Sequence, residues 1–494
     1  ATFIVTANAA FLASFIKPLR GEPFSIERHR VLITPIQILN EEFVSRFLET
    51  IVKYHRAVTV EEKAQLATGL DWTFILRLRS FVSWLATEVE PALKSRLRLD
   101  QKFKQHVREF EREKGVRLTS RTLAEQMSYI LTNKIVFYKV LERTYTNLPR
   151  LLDIEVSRPR FYLKTLYRLF ETAVEMTKDC EAVFNTGLFD EIVLPEQSHT
   201  LLDLLEELAI FVKDMETYPL EKLDADVIGH VYEELLQPEE RHRLGQFYTP
   251  PPIAELICKW AIRQASDLVL DPATGSGTFL VKSYQTLREL KRSDNPTESL
   301  DKIHEENVGQ LYAIDINPFP AQIAAMNLAM RNVNRPISEM NILREDFFNV
   351  SPNQVVLSPY AIKTAGREEY REIRIPEVDA VVANPPYTRW TELRKETRDS
   401  INKTIGRELS KFRMRAGATQ SEPMIYLHFI IHGTQFLNKN GRLGMIVSNS
   451  WLQADYGVRF GKYLLDKFRI VGVIDFSPRV FAIPMIATLI ILLE

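Results

Sequence analysis

The sequence predicts an α/β fold, a Rossmann-like doubly wound parallel sheet preceded by an all-α region. Three observations carry this. From the start to about Leu236, glycines are sparse and apolar residues recur three and four positions apart, the period of an amphipathic helix. Beyond Arg241, short apolar or β-branched runs alternate with helical stretches, the order that builds a mostly parallel sheet with helices on both faces. The length, 494 residues, exceeds one ordinary core. The division expected is a helical domain over 1–236 and an α/β domain over 237–494.

Taken in order, the apolar segment Phe3 to Ile16 lacks a basic flank and is too short to span a bilayer, so a buried segment is expected. One helical stripe follows Leu123, Met127, Ile130, Leu131, Ile135, Tyr138 and Leu141. A second follows Leu201, Leu204, Leu205, Leu208 and Val212, and a third Val227, Ile228, Val231, Tyr232 and Leu235. Strands are expected at Asp267 to Leu270, Gln310 to Ile314, Val378 to Ala383 and Arg442 to Ser448. Val471 to Phe476 and Ile486 to Leu493 lie close enough in sequence to form an antiparallel pair at one edge.

Bulk composition narrows the class. Hydrophobic residues at 45% and charged residues at 26% suit a folded, soluble chain and neither a disordered nor a membrane protein. Lys and Arg total 63 against 64 Asp and Glu, so binding to a polyanion would have to come from local patches. The two cysteines, Cys180 and Cys258, form no CxxC pair, which points to a reducing, cytoplasmic setting with neither a disulfide framework nor a structural metal.

Asp271-Pro272-Ala273-Thr274-Gly275-Ser276-Gly277 follows an expected strand and opens an expected helix, where open parallel sheets bind ligands. Gly275 and Gly277 let the backbone turn tightly and a ligand approach. No Gly-Lys-Ser/Thr follows and the third glycine of the dinucleotide fingerprint is missing, which disfavours ATP and NAD. Asp315 ends the next strand, where a carboxylate accepts ribose hydroxyls; Asn317 and Pro318 beside it also make good helix-start sequence. Asp346 follows a further expected strand and is a candidate acceptor for an adenine amine, with Phe347 covering the ring. A surface acid beside core aromatics is the commoner arrangement.

Asp379 to Tyr387 reads as a buried strand stopped by Pro385 and Pro386, which cannot donate to a ladder and fix an extended turn. An aromatic amine is a poor nucleophile because its lone pair is delocalised into the ring. Two acceptors on its hydrogens, the Asn384 side-chain oxygen and the Pro385 carbonyl, favour a more tetrahedral nitrogen, while Tyr387 stacks on the ring.

At this point the chain resembles the adenine-N6 DNA methyltransferases of bacterial restriction-modification and phage-defence systems. The motifs run Gly245 to Pro251, Asp271 to Gly277, Asp315, Asp346, Asn384 to Tyr387 and Gly441 to Ser448, in the order of the group whose cofactor loop precedes the catalytic tetrad. The resemblance implies S-adenosylmethionine as cofactor, with Phe247, Tyr248, Thr249 and Pro250 bordering its methionine part and Asp271, Ala273, Thr274, Gly275, Gly277, Asp315, Asp346 and Phe347 completing its site. It implies Asn384, Pro385, Pro386 and Tyr387 as the tetrad, and Phe481 as the aromatic facing Tyr387 across a flipped adenine. The tetrad by itself suits planar amines and amides generally, including an RNA base or a protein glutamine, and a non-catalytic DNA-binding subunit is the alternative from another class. Adenine in DNA follows from the company the tetrad keeps.

DNA as partner needs phosphate contacts to offset base flipping, which costs a few kcal/mol. Between Thr388 and Gly417 nine basic residues face four acids, which suggests a mobile loop gripping the backbone through Arg389, Arg394, Lys395 and Arg398. Lys94 to Arg121 carries ten basic residues against four acids and reads as a solvated helix face ahead of a contact to flanking DNA. The helical region shows no Pro-Asp...Glu-x-Lys cluster, so cleavage is not expected. In the family a target-recognition domain follows the last strand. The chain ends there, so it reads as trimmed, and sequence recognition is expected from absent residues or a partner subunit.

Overall fold

The structure is a computed structural model that describes residues 11–13, 31–33, 68–114, 118–154, 159–177, 181–184, 192–194, 198–218, 220, 249–332, 340–364, 367–412, 424–475 and 487–494. Strands β1 (Phe11–Ala13) and β2 (Val31–Ile33) pair antiparallel. The remainder of the Phe3 to Ile16 segment, the stripe from Val227 to Leu235, Cys180 and the expected boundary at 236/237 lie outside the described residues.

Among the described residues the helical region holds α1 (Thr68–Leu99), α2 (Gln101–Lys114), α3 (Ser120–Thr144), α4 (Pro159–Thr177), α5 (Ser198–Asp214) and a single helical turn over Glu181–Phe184, so β1 and β2 are its departure from the expected all-α character. Every member of the Leu123 to Leu141 stripe is buried on α3, and Leu204, Leu205, Leu208 and Val212 are buried on α5. Thr119 caps α3, its hydroxyl accepting from the Thr122 N–H at 3.0 Å. Inside, Lys139 is fully buried and paired with Glu142 and Glu216, so its ammonium is compensated in a place where an unpaired one would be expensive. In the basic run Lys94 to Arg121, Lys94 meets Glu90, Arg96 meets Asp100 and Arg121 meets Glu125, while Arg98, Lys102, Arg108 and Arg112 are exposed.

From α6 (Pro251–Ala261) onward strands and helices alternate: β3 (Val269–Asp271), α7 (Thr278–Asp294), α8 (Leu300–Gln310), β4 (Leu311–Ile314), α9 (Pro318–Ala329) and β5 (Asn341–Leu343). A hairpin of β6 (Val355–Thr364) and β7 (Arg367–Arg374) intervenes. Then come β8 (Val378–Ala383), α10 (Lys395–Lys411), α11 (Ile425–Gly433), β9 (Leu437–Ser448), α12 (Asp455–Lys467), β10 (Ile470–Asp475) and β11 (Thr488–Leu493). Seven strands form one sheet in the order β10-β11-β9-β8-β3-β4-β5. Pairs from β9 to β5 are parallel, while β11 is antiparallel to both β9 and β10. The expected antiparallel edge is therefore present, with β11 inserted between β10 and β9.

The central strands are buried on both faces, which explains their continuous apolar runs in place of alternation. Val269, Ala313, Ile342, Val382 and Ile446 enter one core, and their neighbours Leu270, Ile314, Leu343, Val381 and Val447 enter the other. Asp379 is the polar exception in β8; its carboxylate accepts the Leu268 N–H at 2.7 Å and the Asn438 amide. The first core continues without a break into the helical region. Helix α9, buried from Ala321 to Ala329, mediates this junction; its polar residues Gln322 and Asn327 are buried with its apolar ones. Its Gln322 Nε2 donates to the Val183 carbonyl at 2.5 Å.

Candidate active site

The order of strand addition reverses between the parallel neighbours β3 and β8: from β3 the chain winds outward to β4 and β5, then returns to lay β8 on the other side of β3. Asp271 ends β3, and Asp315, Asp346 and Asn384 follow the carboxyl ends of β4, β5 and β8 respectively, so the topology gathers four candidates at the switch point.

On the cofactor side, Gly275 (φ 52°) and Gly277 (φ 90°) adopt left-handed backbone that an L side chain resists. The two differ in surroundings. A Cβ on Gly275 would meet nothing within 4 Å, whereas one on Gly277 would lie 3.0 Å from Ala324 Cα on α9. Asn327 of the same helix donates to the Ser276 carbonyl at 2.8 Å, so α9 holds the loop by close approach and by a hydrogen bond. The Thr274 N–H reaches the Ile314 carbonyl at 3.1 Å, tying the loop to β4.

Asp315 receives the Gly275 N–H on Oδ2 at 3.0 Å and the Asn317 N–H on Oδ1 at 2.8 Å, so it serves loop and helix start together. Burial nevertheless raises its carboxyl to about 6. Asp271 is pushed further, to about 8, by burial and by the nearby Asp315 charge. Its Oδ1 accepts the Ala273 N–H at 3.2 Å and the nearby Thr274 hydroxyl favours its charged form, yet neither its Oδ2 nor that hydroxyl reaches a well-aligned hydrogen bond. Orphaned buried acceptors beside a loop with open space at Gly275 suit a ligand rich in hydroxyl and ammonium donors. S-adenosylmethionine, with ribose hydroxyls and a cationic methionine part, fits that donor demand.

On the reacting side, Asn384 Nδ2 donates to Thr249 Oγ1 at 3.2 Å, joining segments 135 positions apart. The Tyr387 hydroxyl lies 2.8 Å from Asn384 Oδ1 and 3.2 Å from the Ile446 carbonyl. Thr249 and Tyr387 are buried, Asn384 and Pro386 half-buried. Tyr387 is only 5% exposed, 6.3 Å from the Tyr426 ring, and burial pushes its phenol above the usual range. The expected stacking surface is thus turned inward against β9. Pro250 caps α6, its carbonyl accepting from Ile253 at 3.0 Å, and Pro251 opens the helix where its missing N–H costs nothing.

Two expectations are corrected by geometry. Phe347 is 2% exposed within an aromatic cluster of Phe348, Phe429, His432 and Phe436, so it is a core residue and presents no open ring face. The basic segment after the tetrad is helical over Lys395–Lys411, which form α10 with Thr397, Ile401, Ile405 and Leu409 buried at four-residue spacing, while Arg413 and Arg415 lie outside the described residues. High charge density in the sequence obscures that stripe. On this helix Lys395 is exposed and Arg398 half-exposed; Arg394 at its N-cap is half-exposed, and Arg389, ahead of the helix, is exposed. Asp346 Oδ1 accepts the Phe348 N–H at 3.1 Å and Oδ2 the Thr397 hydroxyl at 2.8 Å, a pairing that no sequence signal announces. Phe247, Tyr248 and Phe481 lie outside the described residues.

No described helix is long and apolar enough to cross a membrane. The family model for N-6 DNA methylases matches residues 223–494. The type II methyltransferase M.XamI of Xanthomonas campestris pv. amaranthicola is 24% identical over 251 residues, covering 50% of this chain and 38% of that protein. The MpnII type I restriction enzyme methylase subunit of Mycoplasma pneumoniae is 24% identical over 298 residues, covering 59% of this chain and 48% of the relative. In both cases the match spans less than half of the relative's length. Among solved structures, the ATP-dependent type ISP restriction-modification enzyme LlaBIII bound to DNA superposes with a TM-score of 0.52 at 17% identity, over 91% of this chain and 32% of that one, a likeness of fold. With the tetrad, the glycine loop and the strand-end acids all inside a family match that spans more than half of its length, this chain belongs to the N-6 DNA methylase family.

Proposed function

We propose that the chain transfers the methyl group of S-adenosylmethionine to the N6 amine of adenine in DNA, within a restriction-modification or phage-defence system. Residues 1–236 would form the helical domain and 237–494 the catalytic domain. The observation that carries this reading is the Thr249–Asn384–Tyr387 chain of hydrogen bonds, which fixes the carboxamide at the end of β8, the parallel neighbour of the strand that leads into the glycine loop.

The cofactor supplies an electrophilic methyl group; everything else falls to the protein. Asn384 Nδ2 is engaged by Thr249, and its oxygen, which accepts from the Tyr387 hydroxyl, would also accept from a substrate amine. That oxygen and the Pro385 carbonyl take the two amine hydrogens, which concentrates the nitrogen lone pair toward the methyl donor. No strong base is required at this stage, since the nitrogen becomes acidic once methylated. Asp271 and Asp315 would hold the donor-rich cofactor, and Asp271, raised to about 8, keeps its proton beside the Asp315 carboxylate, so two like charges do not accumulate in the buried loop before the cofactor binds. Arg389, Arg394, Lys395 and Arg398 contact phosphates to offset flipping of the base. One relative is named as a methylase subunit, so a partner subunit that selects the sequence belongs to the same proposal.

The test is label transfer from methyl-labelled S-adenosylmethionine to duplex DNA, RNA and protein in parallel, followed by mapping of methylated adenines. DNA labelling at adenine, lost by at least about a hundredfold in Asn384→Ala, is expected. Label on RNA or on a glutamine would replace the substrate. Cofactor binding with no transfer, unchanged by that substitution, would leave a non-catalytic DNA-binding subunit.

A further inference from the structure

Helix α10 is fastened to the segment after β5 by three hydroxyls at positions i, i+3 and i+7, all on one helical face. Thr397 donates to Asp346 Oδ2 at 2.8 Å, Ser400 to Asn349 Oδ1 at 2.6 Å and Thr404 to the Phe348 carbonyl at 2.8 Å. The segment they grip is a tight turn over Phe347–Asn349, closed by the Asn349 N–H on the Asp346 carbonyl at 2.8 Å. Of the three, only Thr397 bonds to the acid at the strand end. The other two bond to groups that merely seat the helix.

With one oxygen on the Phe348 N–H and the other on Thr397, the Asp346 carboxylate has its plane fixed and keeps one lone pair on each oxygen for an incoming donor. The same helix carries Lys395 and Arg398 on either side of Thr397, and Arg394 stands at its N-cap. A shift of α10 on meeting phosphates would reach the carboxylate directly through the Thr397 hydroxyl, whereas Ser400 and Thr404 act only on the turn beside it.

We propose that Thr397 is a positioning residue for the cofactor's adenine: it orients Asp346 from the helix that meets DNA, so that DNA and S-adenosylmethionine bind cooperatively. This rests on Asp346 accepting the adenine amine. By linkage, DNA tightens cofactor binding and cofactor tightens DNA binding by the same factor. A hydrogen bond to a carboxylate is worth enough that its loss weakens binding about tenfold.

The experiment is titration calorimetry of S-adenosylmethionine into the whole chain, with and without sonicated mixed-sequence duplex DNA. Thr397→Val should bind cofactor about tenfold more weakly and lose the enhancement that DNA gives the wild type. Thr397→Ser should match the wild type in both respects. Ser400→Ala removes a seating hydroxyl of the same helix and should leave cofactor affinity and its response to DNA unchanged, even if its melting temperature falls as far as that of the valine variant. Should the valine variant not fold, Thr397→Ala reports the same loss. Cofactor affinity within twofold of wild type in the variants lacking the hydroxyl, an equal response to DNA in wild type and variant, or an effect of Ser400→Ala as large as that of Thr397→Val would each overturn the proposal. Asp346→Ala separates the levels: if it leaves cofactor affinity untouched, the reading of Asp346 itself fails, and if it abolishes binding while Thr397→Val does nothing, only the positioning role fails.

Discussion

The Tyr387 hydroxyl lies 2.8 Å from Asn384 Oδ1, the very oxygen that the reaction assigns to a substrate amine. Its ring is buried against β9, so Tyr387 holds the carboxamide in place and also shares its acceptor. An amide oxygen has two lone pairs, which allows clamp and substrate to be served together or in turn.

Substitutions at Tyr387 separate ring from hydroxyl. Tyr387→Phe removes the clamp and keeps the aromatic surface, so turnover is expected to fall by no more than about tenfold, the worth of one neutral hydrogen bond. Tyr387→Ala removes both and leaves a cavity among Tyr426 and the β9 residues, with an expected loss of at least about a hundredfold and of about 3 kcal/mol in stability. Single-turnover rates and chemical melts check this; equal losses in the two variants would show that the hydroxyl, not the ring, dominates.

The two glycines of the cofactor loop should respond differently to alanine. Gly275→Ala meets open space and pays only for its positive φ, about 1 kcal/mol. Gly277→Ala adds a Cβ 3.0 Å from the Ala324 backbone, which cannot swing aside, so a larger loss of stability, roughly 2 to 4 kcal/mol, and weakened cofactor binding are expected. Denaturant titration of both variants decides it, and similar stabilities would remove the argument from close approach.

Cofactor binding should release protons. Asp271 and Asp315 have folded-state values raised to about 8 and about 6, so they hold protons that the unfolded chain has already lost. Their contribution to stability is present below the unfolded carboxylate pKa and is lost as pH rises, through about 6 for Asp315 and about 8 for Asp271. Hydroxyl and ammonium donors favour the charged forms, so affinity for S-adenosylmethionine should rise with pH between about 6 and 8. Calorimetry at pH 7 in buffers of different ionisation heat reads the release directly, and Asp271→Asn should diminish it; binding without proton exchange in the wild type would falsify this.

The basic helix should govern the salt dependence of DNA binding. Replacing Arg394, Lys395 and Arg398 together by Ala is expected to weaken affinity and reduce the log–log salt slope by about 2 to 3, near 0.9 for each phosphate no longer neutralised. The buried stripe of α10 is untouched by these changes, so the helix should stay docked. A salt slope equal to that of the wild type places the phosphate-binding residues elsewhere.

Much of the site is legible in the chain because its marks are local. Strand ends declare themselves where an apolar run meets Asp271, Asp315 or Asn384, and two prolines close β8 whatever surrounds it. The β6–β7 hairpin carries no such mark, since its charged alternation over Arg367–Arg374 resembles an exposed connection until Thr364 is seen opposite Arg367. The helix after the tetrad resembles a loop in sequence because its four buried positions are embedded among charges.

What the sequence determined by itself was the order of motifs, the alternation of strand and helix, and the residue types that amine methylation requires. Those depend on neighbours a few positions apart, where backbone sterics and periodicity act. Only the tertiary structure decided that Thr249 holds Asn384, that Tyr387 faces inward, that Phe347 is core, and that Thr397 touches Asp346. It also joined the helical region and one face of the sheet into one core. Each of these is a meeting of segments far apart in the chain, set by which faces bury together, and no local pattern encodes the partner of a buried face or of a side-chain hydrogen bond.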